Sequence, residues 1–419
     1  MKNKISKLLV VLCLILTGTL GAWAFSFRNM TLDIVHISDT HISVNRDDTS
    51  YKALGSSSVL LKDAVNQINQ IRGLDFVLHT GDMVDSATPE NYLELFTVLE
   101  KLKYPILNAF GNHDLGYGTM TSDEVLATVK QYNPNYRFDN TYYAFSPKTD
   151  YRIIVLNAVE PDIKTANGRL SAEQLNFLDK EIFENQDKVI VIALHHPPVE
   201  PFKADEHSLT NADELNEILL KYKNPIIVLS GHYHATKLRH FGNLVYVSTP
   251  SMVTYPMAFR HIKITNYKDR VVYNFEFIPT RLADVKEQNR QSVISYGTLA
   301  GWEQDRTANF TFYKKHPKSA KYKRKKIKNA VKAAKVKKSE VKKLTKQPKE
   351  KEVKQPMYSY APPPEPSETV GRYGDSEFLE AVDGKPIDGV MQIMDELMES
   401  MQVLQPRIYD SVMRKVMNL

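Results

Sequence analysis

Five short polar clusters, rich in acidic and imidazole side chains, recur in the first 240 residues. They read DTH (39–41), GDMVD (81–85), GNHD (111–114), HH (195–196) and GHYH (231–234). Carboxylate, imidazole and amide groups together suit Zn, Mn or Fe, whereas Ca and Mg favour sites made of oxygen ligands alone. The clusters therefore predict a transition-metal centre.

The donor side chains in these clusters are too many for one ion. Two ions that share a carboxylate fit the count. Two ions about 3.5–4 Å apart can clamp a phosphoryl group for in-line displacement, and they lower the pKa of a bridging water so that hydroxide is available near neutral pH. The candidate ligands are Asp39, His41, Asp82, Asn112, His195, His232 and His234.

These clusters need elements that bring them together, and each of them follows a short apolar run. Between residues 31 and 279 such runs alternate with segments of helical spacing, for example at 57–71 and 88–102. Continuous apolar runs are typical of strands covered on both faces, and open α/β sheets place their sites at the carboxyl ends of the strands. The pattern alone therefore predicts an α/β domain built on a single sheet.

The ordered set DTH, GDMVD, GNHD, HH and GHYH resembles the calcineurin-like metallophosphoesterase superfamily over about residues 31–280. Within it, the chain most resembles the bacterial branch of cyclic-nucleotide and glycerophosphodiester phosphodiesterases. The resemblance implies a four-layer α/β/β/α sandwich rather than one sheet. It also implies two Mn, Fe or Zn ions and hydrolysis of a small phosphodiester or phosphomonoester by a metal-bridging hydroxide.

The resemblance also assigns roles to individual residues. It implies that His113 donates a proton to the leaving oxygen or stabilises its charge, and that Asp85 orients His113. It implies that Asp82 bridges the two ions. One ion would be held by Asp39, His41 and His234, and the other by Asn112, His195 and His232.

Two neighbouring polar residues each have two possible roles, and other nearby residues are expected to be structural or to line the site. His196 is a structural neighbour of the ligands or a substrate contact, and Asp114 is a loop hydrogen-bonding group or a catalytic support. His36 and His79 lie inside apolar runs and are expected in the core. The segment 249–260 resembles the segment that closes the rim of the family's active site, so that Tyr255 and Arg260 are candidate substrate contacts.

The N-terminus predicts export. Three lysines precede a charge-free stretch at 8–27, which contains the small-residue pattern Ala22-Trp23-Ala24. These are the features of a secretory signal peptide, and the length also allows an uncleaved anchor. The body is then expected in the periplasm, outside the cell, or anchored in the membrane and facing outward. Cys13, the only cysteine, lies in this stretch, so the mature body cannot use thiol ligands.

The C-terminal part of the chain differs in composition from the body. Residues 314–355 hold 19 Lys/Arg and 3 Asp/Glu, which gives a local net charge of +16. A linker, a segment that binds an anionic membrane or envelope polyanion, and a nucleic-acid arm all fit this charge. Export favours the first two over nucleic acid. We divide the chain into a signal peptide or anchor (1–27), a metallophosphoesterase domain (28–280), a helical extension (281–313), a disordered Lys- and Pro-rich linker (314–377) and a helical C-terminal segment (378–419).

A non-enzymatic hypothesis stands beside the enzyme. The chain would then be a metal-stabilised binding or scaffold module that recruits a partner through its C-terminal tail. Met391, Met394, Met398 and Met401 lie there at helical spacing, which is typical of a packing face and also allows a docking helix. The complete ligand set, together with His113 and Asp85, favours the metal-dependent phosphoric ester hydrolase.

Overall fold

A computed structural model describes residues 30–204 and 206–314 of the chain. The signal segment, the basic linker and the C-terminal helix predicted from the sequence lie outside these residues. No helix in the described part is long and apolar enough to cross a membrane.

Two six-stranded sheets form the centre of the fold. In the first sheet the strand order is β12-β11-β10-β1-β2-β3, and β1, β2 and β3 are parallel. Its strands are β1 (Thr31–Ile37), β2 (Phe76–Thr80), β3 (Ile106–Ala109), β10 (Ala258–Asn266), β11 (Arg270–Pro279) and β12 (Ala308–Tyr313).

The second sheet has the order β4-β5-β6-β7-β9-β8, with β5, β6, β7 and β9 parallel. Its strands are β4 (Tyr143–Phe145), β5 (Tyr151–Val155), β6 (Val189–Ala193), β7 (Ile226–Ser230), β8 (Lys237–Phe241) and β9 (Leu244–Ser248). The prediction of a single sheet from the strand pattern is therefore wrong, because these strands divide between two sheets.

Nine α-helices complete the described part of the chain, together with a 3-10 turn at Leu54–Ser56. They are α1 (Ser57–Ile68), α2 (Pro89–Leu99), α3 (Asn112–Leu115), α4 (Ser122–Tyr132), α5 (Ala172–Glu184), α6 (Ala212–Leu220), α7 (Ala283–Ser292), α8 (Tyr296–Ala300) and α9 (Glu303–Arg306). Local sequence explains several starts. Helix α2 begins at Pro89 behind Thr88, whose side chain accepts a hydrogen bond from the Asn91 amide, and Ser171 caps α5 in the same way.

Side-chain alternation along the second sheet separates two apolar layers. Ile153 and Val155 join the large core that also contains the first sheet, α1 and α2. Ile154 and Ile192 instead pack with the buried residues of α5 and α6 in a second core. Because successive strand residues face opposite sides of a sheet, the order is helices, sheet, sheet, helices. The four-layer α/β/β/α sandwich is confirmed.

The extension after residue 280 departs from its prediction as a helical segment. It contains α7, α8 and α9, but Ala308–Tyr313 forms strand β12 and pairs along β11 from Arg270 to Phe275. Residues 281–313 are therefore partly strand, and they complete an edge of the first sheet.

Candidate metal centre

The loops after β1, β2, β3, β6 and β7 meet at one place. The Asp39 amide donates to the Gly81 carbonyl at 3.0 Å, and the His41 amide donates to the Asp82 carbonyl at 3.0 Å. The His232 amide donates to both carboxylate oxygens of Asp39 at 3.1 Å. The Gly231 amide also donates to the His195 carbonyl at 3.1 Å, and the His113 amide donates to Asp82 Oδ1 at 2.9 Å. These contacts bring the seven predicted ligands together, and all seven are buried.

The backbone at this place is unusual. Five of the predicted ligands have positive φ angles between 40° and 70°, in the left-handed region that residues with a Cβ rarely adopt. Such conformations persist where surrounding structure enforces them, and they concentrate at functional sites. The five are Asp39, His41, Asp82, His232 and His234.

The first donor group contains Asp39, His41 and His234. The Nε2 atoms of the two histidines are 3.1 Å apart, and His234 Nε2 is 3.4 Å from Asp39 Oδ1. His234 Nδ1 bonds to Thr254 Oγ1 at 2.8 Å, which fixes the ring and directs Nε2 inward. Nitrogen and carboxylate donors that converge in this way form a pocket for a cation.

The second donor group contains Asp82, His195 and His232. His195 Nδ1 donates to the Thr80 carbonyl at 2.8 Å, because a carbonyl oxygen only accepts. The lone pair is then on His195 Nε2, which lies 3.2 Å from Asp82 Oδ2 and 3.1 Å from His232 Nδ1. Asp82 Oδ2 is also 3.6 Å from His41 Nε2, so Asp82 reaches both donor groups. A third cluster, His41, Asp82 and His113, overlaps these two at the edge of the cavity.

An unpaired buried amide oxygen and two buried carboxylates are the groups expected around a bound metal. Asn112 Oδ1 is buried without a hydrogen-bond partner among the described residues. Within residues 30–204 and 206–314, neither Asp39 nor Asp82 forms an ion pair with lysine or arginine. Buried carboxylates without a compensating cation are costly. The residues present therefore fit a site for divalent ions.

The protonation states of Asp39 and His41 also suit a bound metal. Burial opposes ionisation of Asp39, but the hydrogen bond and charge of His234 outweigh it and lower the pKa to about 2. Burial, helped by the Lys52 ammonium, lowers the pKa of His41 to about 3. Burial also opposes charge on His195, yet the Asp82 carboxylate raises its pKa to about 9. An ionised carboxylate and a neutral imidazole are the forms that bind metal, so Asp39 and His41 are already in that form, whereas His195 must lose a proton when an ion binds.

His113 lies at the edge of the centre, 21% exposed and facing a cavity of about 520 Å³. Its Nδ1 is 2.7 Å from the Asp85 main-chain carbonyl oxygen and 3.8 Å from the Asp85 carboxylate. Asp85 therefore contacts His113 through the main chain. The Asp85 carboxylate lies nearer to His41 Nδ1, at 3.4 Å, and to Arg46 and Lys52, at 2.6 Å and 3.2 Å.

The remaining polar residues near the centre have structural contacts. Asp114 accepts hydrogen bonds from the amides of Met83, Val84 and Gly111, and so ties the GDMVD loop to the GNHD loop. His196 packs on His232, with ring centroids 4.3 Å apart, and its Nε2 bonds to the Ala166 carbonyl.

Two further histidines and one arginine form hydrogen bonds that connect the strands to one another. His36 bonds to Thr80 and Thr249, and His79 bonds to Thr40. Arg260 is fully buried and donates to the carbonyls of Ser248, Asp305 and Arg306. The idea that Arg260 contacts substrate is therefore wrong, because its guanidinium joins the two sheets and the C-terminal extension.

Sequence reasoning missed several residues that line the cavity. Lys52 is buried beside His41 and His113, and the Tyr117 ring stacks on His113 with centroids 4.6 Å apart. His207 and Tyr51 also line the cavity. None of these residues belongs to a polar cluster at a strand end, so the sequence carried no local signal for them.

Comparisons with known proteins assign the chain to a family. The profile of the family described as Calcineurin-like phosphoesterase matches residues 32–236. The chain is 29% identical to a 3′,5′-cyclic-nucleotide phosphodiesterase of Nostoc, over 54% of this chain and 79% of that protein. It is 30% identical to a Ruthia magnifica protein named "Probable cyclic nucleotide phosphodiesterase", over 53% of this chain and 86% of that protein.

A solved structure of a dimetal phosphatase from Danio rerio superposes with a TM-score of 0.49 and 17% identity, over 59% of this chain and 99% of that one. The chain belongs to the calcineurin-like phosphoesterase family, and it is a metal-dependent phosphoric ester hydrolase. The predicted family and enzyme class are confirmed.

Proposed function

We propose that this chain is an exported enzyme that hydrolyses a phosphodiester at a dinuclear metal centre, and that phosphomonoesters are the second substrate class. The observation that carries the proposal is the meeting of two donor groups at Asp82, which lies 3.2 Å from His195 Nε2 and 3.6 Å from His41 Nε2. Two groups that share one carboxylate are the arrangement that a pair of ions needs.

The proposed ligands follow the two donor groups. Asp39, His41 and His234 hold one ion, and Asp82 is shared by both. Asn112 joins His195 and His232 at the second ion, and its unpaired buried Oδ1 supports this role. Two bound ions supply Lewis-acid activation of water and neutralise charge on the phosphoryl group.

The residues of the chain orient the reaction. His113 faces the cavity with its ring fixed on one side by the Asp85 carbonyl and on its face by Tyr117. We infer that a ring held in this way, at the wall of the cavity, assists the departure of the leaving oxygen. The buried carboxylate of Asp85 accepts from His41 Nδ1 and so fixes that ligand, a second-layer contact that strengthens metal binding.

The names of two relatives support a phosphodiester as the substrate. Two similar proteins are called cyclic-nucleotide phosphodiesterases. The cavity of about 520 Å³ is within the range of small-molecule sites, and Tyr51 and Tyr117 offer ring surfaces to an ester group. Cyclic nucleotides are therefore tested first. Glycerophosphodiesters and nucleotides are tested beside them, because export favours a substrate outside the cytoplasm.

The test uses the full chain with Mn²⁺, bis-p-nitrophenyl phosphate and a panel of natural diesters and monoesters. Wild-type protein should turn over at least one ester in a metal-dependent way. Asp82→Ala and His113→Ala should each lose about a hundredfold or more of the rate, as removal of one catalytic group does. Asp139→Ala, which removes a carboxylate that is 91% exposed, is the matched control and should behave as wild type.

Two outcomes would reject this function. Absence of metal-dependent turnover on the whole panel would contradict the hydrolase. Two bound ions per chain without any turnover would favour the binding or scaffold module.

Export has its own test, since the proposal rests on residues 1–27 alone. Fractionation of cells that express the full chain should place it outside the cytoplasm. Mass spectrometry of the recovered protein should find a new N-terminus near residue 25 if the segment is cleaved, or the intact segment in membranes if it is an anchor. Recovery of the intact chain from the cytoplasm would contradict export.

A further inference from the structure

Lys52 is a buried lysine at the edge of the metal centre, 5% exposed and just before the 3-10 turn at Leu54–Ser56. Its Nζ lies 3.2 Å from Asp85 Oδ1, 3.3 Å from His41 Nδ1 and 3.4 Å from His113 Nε2. A buried ammonium has three hydrogens to place, and each one left without a partner is costly. The partners of Lys52 can therefore be counted.

Two of these hydrogens have clear acceptors. The carboxylate of Asp85 accepts one. Before substrate binds, His113 accepts the second, because its Nδ1 donates to the Asp85 carbonyl and its Nε2 then carries the lone pair. Lys52 thus fixes the second nitrogen of the ring whose first nitrogen is fixed by Asp85.

His41 Nδ1 lies 3.3 Å from Nζ, but it does not accept the third hydrogen in the metal-bound centre. When its Nε2 holds metal, as the proposed function requires, the lone pair of His41 is used on that side and its Nδ1 carries the proton. That proton is directed to Asp85 Oδ1, at 3.4 Å. One N–H of Lys52 is therefore left for the cavity, which Lys52 lines together with His113 and Asn112.

Lys52 is also the only lysine or arginine that lines this cavity in the described part of the chain. The Tyr51 ring lines the same wall, with its centroid 5.7 Å from Nζ, at the outer range of a cation–π contact. A phosphoryl oxygen that enters the cavity beside His113 would find no other side-chain cation there.

We propose that Lys52 is a substrate-binding residue whose ammonium donates a hydrogen bond to a phosphoryl oxygen of the ester, beside His113. This inference rests on the proposed function, because it places the phosphoryl group at the metal centre. A charge-assisted hydrogen bond in a site that excludes water is among the strongest contacts available to an oxyanion. Lys52 therefore adds a fixed cation from the chain to those that metal would supply.

The test measures binding rather than turnover, with inorganic phosphate as the probe. Phosphate is titrated into metal-loaded full-length protein by calorimetry, and metal content is measured on the same samples. Lys52→Met should weaken phosphate binding about tenfold to a hundredfold, the cost of losing one hydrogen bond to a charged group. Lys52→Arg should lose less, because it keeps the charge.

Lys164→Met is the matched control. This exposed lysine lies over the outer part of Tyr117, at 5.2 Å from the ring centroid, and does not line the cavity. Its loss should leave the phosphate dissociation constant within twofold of wild type. If Lys52→Met does not fold, Lys52→Gln is used with the same criterion, since it keeps a polar side chain and removes the charge.

A folded Lys52 variant that keeps its metal content and binds phosphate within twofold of wild type would overturn the proposal. It would leave Lys52 as a structural partner of Asp85. The two proposals fail separately, because wild-type turnover with unchanged phosphate binding in the variant rejects only the role of Lys52. Absence of wild-type turnover rejects the hydrolase, while the phosphate titration still reports on Lys52.

Discussion

At the scale of single residues, two ligand histidines of the centre use one ring nitrogen in a hydrogen bond and keep the other for metal. His195 Nδ1 bonds to Thr80, and His234 Nδ1 bonds to Thr254. Each of these bonds leaves Nε2 directed at a carboxylate. Orientation of a ligand by a second contact is what makes a metal site tight and selective.

Removal of one ligand histidine should lower the occupancy of one metal position more than that of the other. His234→Ala is expected to lose one ion preferentially, because His234 reaches Asp39 and His41 and not the His195 group. His195→Ala should lose the other ion. Metal content per chain, measured by mass spectrometry after graded chelation, checks this expectation. Equal loss of both ions in each variant would contradict the assignment of separate ligands.

Asp85 offers a second prediction at this scale. Asp85→Asn should weaken metal binding about tenfold to a hundredfold, because the carboxylate that accepts from His41 Nδ1 loses its charge. The ring of His113 should keep its position, since its partner is the main-chain carbonyl. Competition with a chelator gives the affinity, and Asp139→Asn serves as the surface control. Unchanged affinity would show that the carboxylate does not support His41.

At the scale of elements, the strand ends are held together by glycines that leave room for ligands. A methyl group at Gly231 would collide with Ser38 Oγ and Asp39 Oδ2. A methyl group at Gly111 would collide with the Asp82 carboxylate and amide. Both positions are tight because a loop from one strand passes against the carboxylate of another.

Gly231→Ala should therefore displace Asp39 and weaken metal binding by about tenfold or more, even where the chain still folds. Gly297→Ala is the matched control, because a methyl group there meets nothing within 4 Å. Chelator competition and circular dichroism separate loss of metal from loss of fold. Wild-type affinity in Gly231→Ala would mean that the loop can move without cost to the site.

The sequence predicted the elements that carry the ligands and was weaker elsewhere. Strands such as β1 and β7 are short, apolar and followed at once by the ligands, so both the strand and its function show locally. The residues of β12 were predicted to be helical, but they form a half-buried edge strand. The conformation of this strand depends on pairing with β11, which the local sequence does not reveal. Lys52 and Arg260 act through partners distant in sequence, and no local pattern indicates such contacts.

At the scale of the whole molecule, the centre lies where the two sheets meet. Ligands from the first sheet follow β1, β2 and β3, and ligands from the second follow β6 and β7. Arg260 on β10 bonds to Ser248 at the end of β9 and to the C-terminal extension. Bound metal would therefore stabilise the contact between the sheets as well as the site.

Metal removal should lower thermal stability. Ligand at about a hundred times its dissociation constant adds about 2.7 kcal/mol to the free energy of unfolding, which corresponds to roughly 5 °C or more in a body of this size. A thermal scan of wild-type protein before and after chelation checks the shift, and added Mn²⁺ should restore it. Asp82→Ala should show a smaller shift. An unchanged midpoint after complete removal would contradict a buried metal site between the sheets.

Seven side chains are proposed to form one dinuclear centre that hydrolyses a phosphoester. The most direct measurement titrates Mn²⁺ into metal-free full-length protein and records bound metal and hydrolysis of bis-p-nitrophenyl phosphate in the same samples. We predict that turnover rises with bound metal and levels off at two ions per chain. Full turnover at one ion per chain, or no turnover at two, would contradict the account.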